Sequence, residues 1–206
     1  ISKGIFIIPN TSKTEKEILE FIKDLGSSLP FISENGAAIN GLDLLNANFP
    51  RKLILSREKA NLLNIFKDTV PRKLQNKCKW LSDMDKKKQS LIFGLKDKKL
   101  SMALDRQYTI PFLFEGTKNE KNELSKIIKN QDLYLQEGGR VINLTDKINK
   151  ANALRVFVRF FKKDNIDVKT IAVGDNYNDL NMLKTSDFPC LVFNDKFTLD
   201  KIPIDN

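Results

Sequence analysis

The sequence predicts an α/β protein in which the strands of a parallel sheet alternate with helices. Two short apolar runs, Gly4–Ile8 and Thr170–Gly174, are each followed by a polar loop and a helical pattern, the order typical of a parallel sheet. Between these two runs the sequence pattern changes, because helical segments rich in charged residues and with more widely spaced apolar residues replace the apolar runs. We therefore expect a parallel-sheet core at residues 1–42 and 144–206, with a smaller α+β module inserted at residues 43–143.

The first core segment reads as strand, loop and helix. Gly4–Ile8 is predicted to be a fully buried strand. Ser12 with Glu15, or Thr14 with Glu17, is expected to form a capping box at the start of the helix. The helix places four apolar residues on one face at helical spacing: Ile18, Phe21, Ile22 and Leu25.

Two hydroxyl residues and a lysine, Thr11, Ser12 and Lys13, lie between this strand and this helix. Backbone N–H groups and the helix dipole favour negative charge at such a helix start, so we expect an anion site here. Next, Pro30–Ile39 is predicted to form two short strands around Asn35-Gly36, the strongest short-range signal for a hairpin.

The inserted module is predicted to hold helices, strands and one hairpin. The helices are expected at Ser56–Phe66, Asp85–Phe93, Asp97–Leu104 and Thr117–Ile128, the first strand at Ile110–Phe114, and the hairpin strands at Leu133–Gln136 and Arg140–Leu144.

The α/β texture then returns. Lys150 begins a helix whose core face carries Leu154, Phe157, Val158 and Phe161. The apolar run Thr170–Gly174 leads into an acidic loop, and Pro189–Phe193 is predicted to be one more short strand.

Three polar residues, Asp175, Asn178 and Asp179, lie in the loop that follows Gly174. Ligands bind at the carboxyl ends of strands in open α/β sheets. Carboxylate and amide oxygens suit Mg²⁺, which keeps room for waters and substrate phosphate. The loop is therefore predicted to hold Mg²⁺.

Composition limits the chemistry. The 206 residues contain no histidine, which excludes histidine bases, triads and metal ligands. The two cysteines, Cys78 and Cys190, are far apart, which is typical of reduced residues in a cytoplasmic protein. No apolar run approaches the roughly 18–20 residues of a membrane span, so no membrane partner is expected.

The formal net charge is +9. It permits a nucleic-acid surface, but the lysines form no tract with interleaved aromatic residues, so we expect no nucleic-acid partner. A positive field also helps to attract an anionic small molecule. The oligomeric state is left open.

Several motifs together resemble those of haloacid dehalogenase-like phosphatases. Gly174-Asp-Asn-Tyr-Asn-Asp179 resembles their Gly-Asp-x-x-Asn-Asp signature, and Lys150 lies at a suitable distance upstream. Thr11–Thr14, after a strand, resembles their hydroxyl motif. Phe31–Ile39 resembles the segment that leads into the type-IIB cap.

Within that superfamily the chain is similar to mannosyl-3-phosphoglycerate phosphatases. Ser12–Glu17 and Pro30–Ala37 match their patterns Ser-Lys-Thr-x-x-Glu and Pro-Phe-Ile-x-Glu-Asn-Gly-Ala. Arg106–Phe112 resembles a weakened version of their Arg-Glu-Ala-Ser-Glu-Pro-Phe segment, and Arg140 follows two glycines as in their Gly-Gly-Arg segment. The resemblance covers nearly the whole chain.

This resemblance implies a Rossmann-like core with an inserted cap, and Mg²⁺-dependent hydrolysis of mannosyl- or glucosyl-3-phosphoglycerate through an aspartyl-phosphate. It makes Asp175 a metal ligand, and Asp179 either a metal ligand through water or the residue that orients Lys150. Lys150 would pair with the phosphate and the nucleophile, and Thr11 would donate a hydrogen bond to a phosphate oxygen.

The resemblance also implies substrate-binding residues. Arg106 and Arg140 are candidates for the glycerate carboxylate, because a guanidinium matches a carboxylate with two hydrogen bonds. Glu34 and Asn35 contact the sugar or brace the cap hinge, and Asn178 positions phosphate or a metal-bound water. The full substrate-binding set is Ser12, Lys13, Glu34, Asn35, Gly36, Arg106, Arg140 and Asn178.

One departure from the family is decisive. The Asp-x-Asp-Gly-Thr motif, which supplies the nucleophile, is absent, and the family places it upstream of the hydroxyl motif. Asp83-Met-Asp85 is superficially similar, but it follows no apolar strand and runs into three lysines. We therefore expect an N-terminally truncated fragment that lacks the first core strand and is inactive.

Other readings remain open. They are a sugar phosphatase of the sucrose-phosphate type, a phosphomannomutase, a catalytically dead phosphosugar-binding homologue, and a basic nucleic-acid binder that rests only on the net charge.

Overall fold

The computed structural model describes residues 5–138, 140–163 and 167–192. The chain divides into two compact units, Ile1–Ile148 and Asn149–Asn206, and each is described by itself. Among the described residues, no helix combines the length and the apolar character needed to cross a membrane.

The start of the first unit differs from the sequence prediction. Gly4 lies outside the described residues, and residues 5–8 pair with no strand in the described part of the chain. Ile5 and Ile7 are 62% and 66% exposed, so the fully buried strand predicted here is wrong. Pro9 is joined to the next part of the chain, because its carbonyl accepts from the Ile32 N–H at 2.7 Å.

Helix α1, Glu15–Asp24, begins at the second of the two predicted capping boxes. The Thr14 hydroxyl accepts from the Glu17 N–H, and the Glu17 carboxylate accepts from the Thr14 N–H. Only Ile18 and Ile22 of the predicted apolar face are buried, and they pack with Phe31. Phe21 and Leu25 are exposed, so the face is narrower than the spacing predicts.

A three-stranded antiparallel sheet follows α1. Its strands are β1 Phe31–Ser33, β2 Ala38–Asn40 and β3 Lys52–Ile54, in the order β1-β2-β3. The predicted hairpin is confirmed, and its turn places Glu34, Asn35 and Gly36 at φ of 46°, 60° and 101°. Strand β3 is missing from the sequence prediction, because three residues with a charged start carry little pattern of their own.

The middle of the chain forms a layer of helices that packs on a four-stranded sheet. Its helices are α2 Lys59–Thr69, α3 Arg72–Gln75, α4 Lys86–Phe93, α5 Asp97–Leu104 and α6 Lys118–Lys129. Its strands are β4 Cys78–Trp80, β5 Thr109–Phe114, β6 Leu133–Glu137 and β7 Ile142–Asp146. They form an antiparallel sheet in the order β4-β5-β7-β6. The predicted elements are present with small shifts at their ends, whereas α3 and β4 are absent from the prediction.

The two faces of this sheet have different chemistry. One face packs against α2 and α6, whose residues Leu62, Phe66, Leu124 and Ile128 meet Phe112 and Leu144 in one apolar core. Side chains alternate along a strand, so Thr109, Asn143 and Thr145 point to the opposite face, yet all three are buried. The part of the second face that these three residues form is therefore polar but shielded from solvent.

A salt bridge between Arg57 and Asp146, called the Arg57–Asp146 clasp below, joins the residues just before α2 to the end of β7. The Arg57 guanidinium donates to both carboxylate oxygens of Asp146, at 3.0 and 2.9 Å, and the Arg57 N–H donates at 2.8 Å. The same guanidinium also donates to the carbonyls of Gln131 and Asp132. All of α2–α6 and β4–β6 lie between the two partners, and Asp146 is the last residue of β7.

The second unit contains α7 Lys150–Lys163, β8 Ile171–Gly174, α8 Leu180–Thr185 and β9 Phe188–Leu191. Strands β8 and β9 pair in parallel, as expected for a core of this class. Ala151 of α7, Ala172 of β8, and Met182 and Leu183 of α8 form the core. Ile171 and Val173 are exposed, so β8 is buried on one face only, and Phe193 of the last predicted strand lies outside the described residues.

Candidate active site

The acidic loop of the second unit follows the carboxyl end of β8. Residues Tyr177–Asp179 form one turn of 3-10 helix directly before α8, and Asn176 caps this turn by accepting from the Tyr177 N–H at 2.7 Å. A Cβ atom on Gly174 would lie 2.5 Å from the Cβ of Asp179. The glycine of the Gly-Asp pair is therefore required, because the Asp179 side chain packs directly over it.

A buried ion pair connects this loop to the start of α7. The Lys150 Nζ lies 2.6 Å from Oδ1 of Asp179, and the two residues are 8% and 4% exposed. The other oxygen, Oδ2, accepts from the backbone N–H groups of Asp175 and Asn176 at 3.2 and 3.1 Å. Both carboxylate oxygens are thus engaged inside the protein. Of the two roles left open for Asp179, this geometry favours orienting Lys150, and a metal contact through water stays a prediction.

The remaining residues of the loop are suited to hard-cation binding. Asp175 and Asn178 are both exposed at the carboxyl end of β8. Within the described ranges, no three acidic or thiol side chains come together as a metal cluster. Mg²⁺ needs only one or two protein carboxylates, because waters and a substrate phosphate complete its octahedron. The donor chemistry of Asp175 therefore fits Mg²⁺.

In the first unit, the predicted anion-binding residues lie beside the β1–β2 turn. The Thr11 carbonyl accepts from the Asn35 N–H, and the Lys13 carbonyl accepts from the Glu34 N–H, both at 2.9 Å. The Thr11 hydroxyl accepts from the Lys13 N–H at 3.3 Å. Ser12 is exposed, and the Lys13 ammonium pairs with Glu17 at 3.2 Å. Two predicted groups, residues 11–13 and 34–36, are therefore adjacent.

Glu34 is buried and fully engaged. Its carboxylate accepts from the N–H groups of Gln107 and Tyr108 at 2.9 and 3.2 Å, and from the Thr109 hydroxyl at 2.6 Å. These contacts favour the bracing role over contact with a sugar. The Oδ1 atom of its neighbour Asn35 is buried with no hydrogen-bond partner among the described residues, so Asn35 retains an acceptor for a ligand.

Arg106 is also buried. Its Nε donates to the Ala103 carbonyl at 3.1 Å, and its Nη1 donates to the Thr109 hydroxyl at 2.9 Å and to the Ser12 carbonyl at 3.3 Å. Burial lowers the pKa of its guanidinium, and the charge of Glu34 opposes this shift. The carboxylate-binding role of Arg106 stays a prediction. Thr109 is not among the predicted site residues, although it lies in the Arg106–Phe112 segment that resembles the family's motif.

Two further predictions concern the middle of the chain. Arg140 is exposed, and its guanidinium lies against Gly94, where an added Cβ would approach Nη1 to 2.8 Å. Its role toward a carboxylate stays a prediction. Asp85 caps α4 by accepting from the Lys88 N–H at 2.8 Å, which agrees with the rejection of Asp83-Met-Asp85 as a nucleophile motif.

Comparison with protein families matches residues 1–201 to the haloacid dehalogenase-like hydrolases. The chain is 30% identical to a glucosyl-3-phosphoglycerate/mannosyl-3-phosphoglycerate phosphatase from Persephonella marina, over 98% of this chain and 78% of that protein. It is 29% identical to a protein with the same description from Methanococcoides burtonii, over 92% of this chain and 73% of that protein. The similarity to this family stated from the motifs is confirmed.

The fold also has solved counterparts. The crystal structure of a haloacid dehalogenase-like hydrolase from Bacteroides thetaiotaomicron matches with a TM-score of 0.60 at 13% identity, over 92% of this chain and 76% of that one. At this identity the likeness concerns the fold alone. The predicted fold class, an α/β core with an α+β insertion, is confirmed.

Proposed function

The chain belongs to the haloacid dehalogenase-like hydrolase family, and from this membership we propose that it serves Mg²⁺-dependent hydrolysis of mannosyl- or glucosyl-3-phosphoglycerate. The predicted enzyme class, a phosphoric monoester hydrolase, is confirmed at the level of the family. The substrate is proposed because two relatives described as phosphatases of these compounds share about 30% of their residues with nearly the whole chain.

The single observation that carries the proposal is the buried Lys150–Asp179 pair. An ammonium held at 2.6 Å from a carboxylate, directly beside the Gly174-Asp175 loop, is a fixed cation that needs no reorganisation when a phosphate arrives. Phosphoryl transfer depends mainly on such preorganised positive charge. A surface lysine on a flexible side chain would not supply it.

The other residues take complementary roles. Asp175 would hold Mg²⁺, which when bound offsets the negative charge of the phosphate, and Asn178 would position phosphate or a metal-bound water. Thr11 would donate its hydroxyl proton to a phosphate oxygen, because its oxygen already accepts from the Lys13 N–H. Asn35 would accept a hydrogen bond from the sugar-phosphoglycerate. Residues 43–143 would form the cap.

The 206 residues contain no Asp-x-Asp motif of the kind that supplies the nucleophile. We therefore propose that these residues alone bind phosphate and the phosphosugar but release no phosphate. In a polypeptide that also supplies the nucleophile, an aspartate would attack phosphorus and form an aspartyl-phosphate. We propose a small-molecule phosphosugar as the partner, with neither nucleic acid nor membrane, and a cytoplasmic location.

Titration calorimetry with Mg²⁺ and orthophosphate tests the binding site. The chain should bind phosphate, and Lys150→Met should weaken binding about tenfold or more, because a charge-assisted contact is lost. Lys162→Met, an exposed lysine on the same helix, should leave the affinity unchanged. Equal phosphate affinity of the wild-type chain and Lys150→Met would overturn the site.

A substrate panel tests the proposed reaction. Mannosyl- and glucosyl-3-phosphoglycerate should bind more tightly than sucrose phosphate or mannose phosphate. Phosphate release from either phosphoglycerate by these 206 residues would contradict the proposed inactivity. Preference for sucrose phosphate would reject the proposed substrate class, and retention of DNA or RNA on a filter would contradict the proposed partner.

A further inference from the structure

Three consecutive backbone carbonyls, those of Thr11, Ser12 and Lys13, are each held by a hydrogen bond from another part of the first unit. The Asn35 N–H donates to the Thr11 carbonyl at 2.9 Å, and the Glu34 N–H donates to the Lys13 carbonyl at 2.9 Å. The Ser12 carbonyl between them accepts from Nη1 of Arg106 at 3.3 Å. Every carbonyl of this short loop is therefore occupied inside the protein.

This arrangement has a consequence for anions. A carbonyl oxygen repels a phosphate, whereas N–H groups and hydroxyl protons attract it. With its carbonyls engaged, the loop can offer the Thr11 hydroxyl to a ligand without a competing backbone acceptor, and the Lys13 ammonium, which pairs with Glu17 at 3.2 Å, lies on the same loop. A rotation of the Ser12 peptide would put its carbonyl oxygen where a donor is needed.

The middle anchor, Arg106, is itself fixed by a buried relay. Its Nη1 donates to the Thr109 hydroxyl at 2.9 Å, and that hydroxyl donates to Oε2 of Glu34 at 2.6 Å. Glu34 and Thr109 are each only 1% exposed. The relay Arg106–Thr109–Glu34 thus joins two of the three anchors, and Nε of Arg106 is held separately by the Ala103 carbonyl.

The backbone conformation of Glu34 and Asn35 also indicates that the Thr11–Lys13 loop is held in place. Glu34 and Asn35 both have positive φ, a conformation that costs energy for residues with a side chain, least for asparagine. The three hydrogen bonds to the Glu34 carboxylate offset that cost. The strained backbone of Glu34 and Asn35 places their two adjacent N–H groups against the loop carbonyls of Lys13 and Thr11.

We propose that Arg106 is a positioning residue that, through the relay with Thr109 and Glu34, fixes the Thr11–Lys13 backbone for phosphate binding. The identity of the anion rests on the proposed function, whereas the anchoring of the loop does not. The proposal differs from direct binding of a substrate carboxylate by Arg106, since it makes the hydroxyl of Thr109 as important as the guanidinium.

Thr109→Val separates the two roles, because it removes the relay hydroxyl and keeps both shape and charge. Thr145→Val is a stringent control, since Thr145 is equally buried and lies directly opposite Thr109 on β7. Amide hydrogen exchange in the full chain should show the N–H groups of Glu34 and Asn35 exchanging about tenfold faster in Thr109→Val, and unchanged in Thr145→Val. Unchanged exchange in Thr109→Val would overturn the anchoring.

Orthophosphate affinity, measured by calorimetry on the same variants, tests the functional consequence. Thr109→Val and Arg106→Lys should each weaken phosphate binding about three- to tenfold, because lysine keeps the charge but cannot reach three acceptors. Normal binding by Thr109→Val together with weak binding by Arg106→Lys would show that Arg106 acts on the ligand directly, and would overturn the proposal. If the wild-type chain binds no phosphate, the proposed function fails, and the exchange rates still decide whether the loop is anchored.

Discussion

Lys150→Met removes one partner of the buried ion pair. Its effect on the free energy of unfolding depends on the contacts that the other partner, Asp179, retains. Breaking a buried pair by deleting one partner typically costs about 3–5 kcal/mol, because an uncompensated charge remains inside the protein. Asp179 would keep two backbone donors on Oδ2 and lose only the contact to Oδ1. We therefore expect the lower end of that range, about 3 kcal/mol. The double variant Lys150→Met/Asp179→Asn should recover part of the loss, since the unpaired charge is then absent.

Urea unfolding at pH 7, followed by far-UV circular dichroism, measures the change in the free energy of unfolding. Lys162→Met is the control on the same helix, and as an exposed position it should shift that free energy by no more than about 0.5 kcal/mol. A loss below about 1 kcal/mol for Lys150→Met, the range of an exposed pair, would refute the view that Lys150 is a buried, fixed cation.

Three further outcomes follow from the structure. Gly174→Ala should lower the melting temperature and speed amide exchange in the acidic loop, because the added Cβ would lie 2.5 Å from the Cβ of Asp179. Unchanged exchange would contradict the packing of Asp179 over Gly174. Burial acts to raise the pKa of Asp146, but hydrogen bonds from its guanidinium partner and backbone amides hold it below its ordinary value of 3.8. The stabilisation is present above pH 3.8 and is lost as the pH falls through the folded-state pKa, so the deficit of Asp146→Asn in urea unfolding should shrink below about pH 3.8. Burial raises the pKa of Cys78 to about 12, so a disulfide reagent at pH 8 should label only the exposed Cys190 in the folded chain and both thiols in urea.

The features that the sequence predicts correctly depend on residues that are close together in the chain. The Thr14–Glu17 capping box lies within one turn, and α5 spans Asp97–Leu104 as its pattern indicates. The Asn35-Gly36 turn and the start of α7 at Lys150 also depend on neighbours a few residues away. Each of these features is decided by residues close in sequence, so a periodic pattern or a cap residue is enough to predict it.

Contacts between distant residues explain what the sequence could not predict. Strand β4 has three residues and pairs with β5, where Cys78 lies opposite Phe114. Glu34 meets Thr109 across 75 positions, and although each lies in a segment that resembles a family motif, neither motif indicates that these two side chains pair. The run at residues 5–8 is apolar enough for a buried strand, but burial needs a neighbouring strand, which its own residues cannot indicate.

The Arg57–Asp146 clasp closes 89 positions of the chain into a loop. The entropy lost on closing a loop rises only with the logarithm of its length, about 0.6 kcal/mol for each doubling. Insertions in the connections within this loop therefore add little to the cost of bringing its two ends together. The region that carries the four-stranded sheet can accordingly change in length and surface while its attachment to the rest of the first unit stays the same.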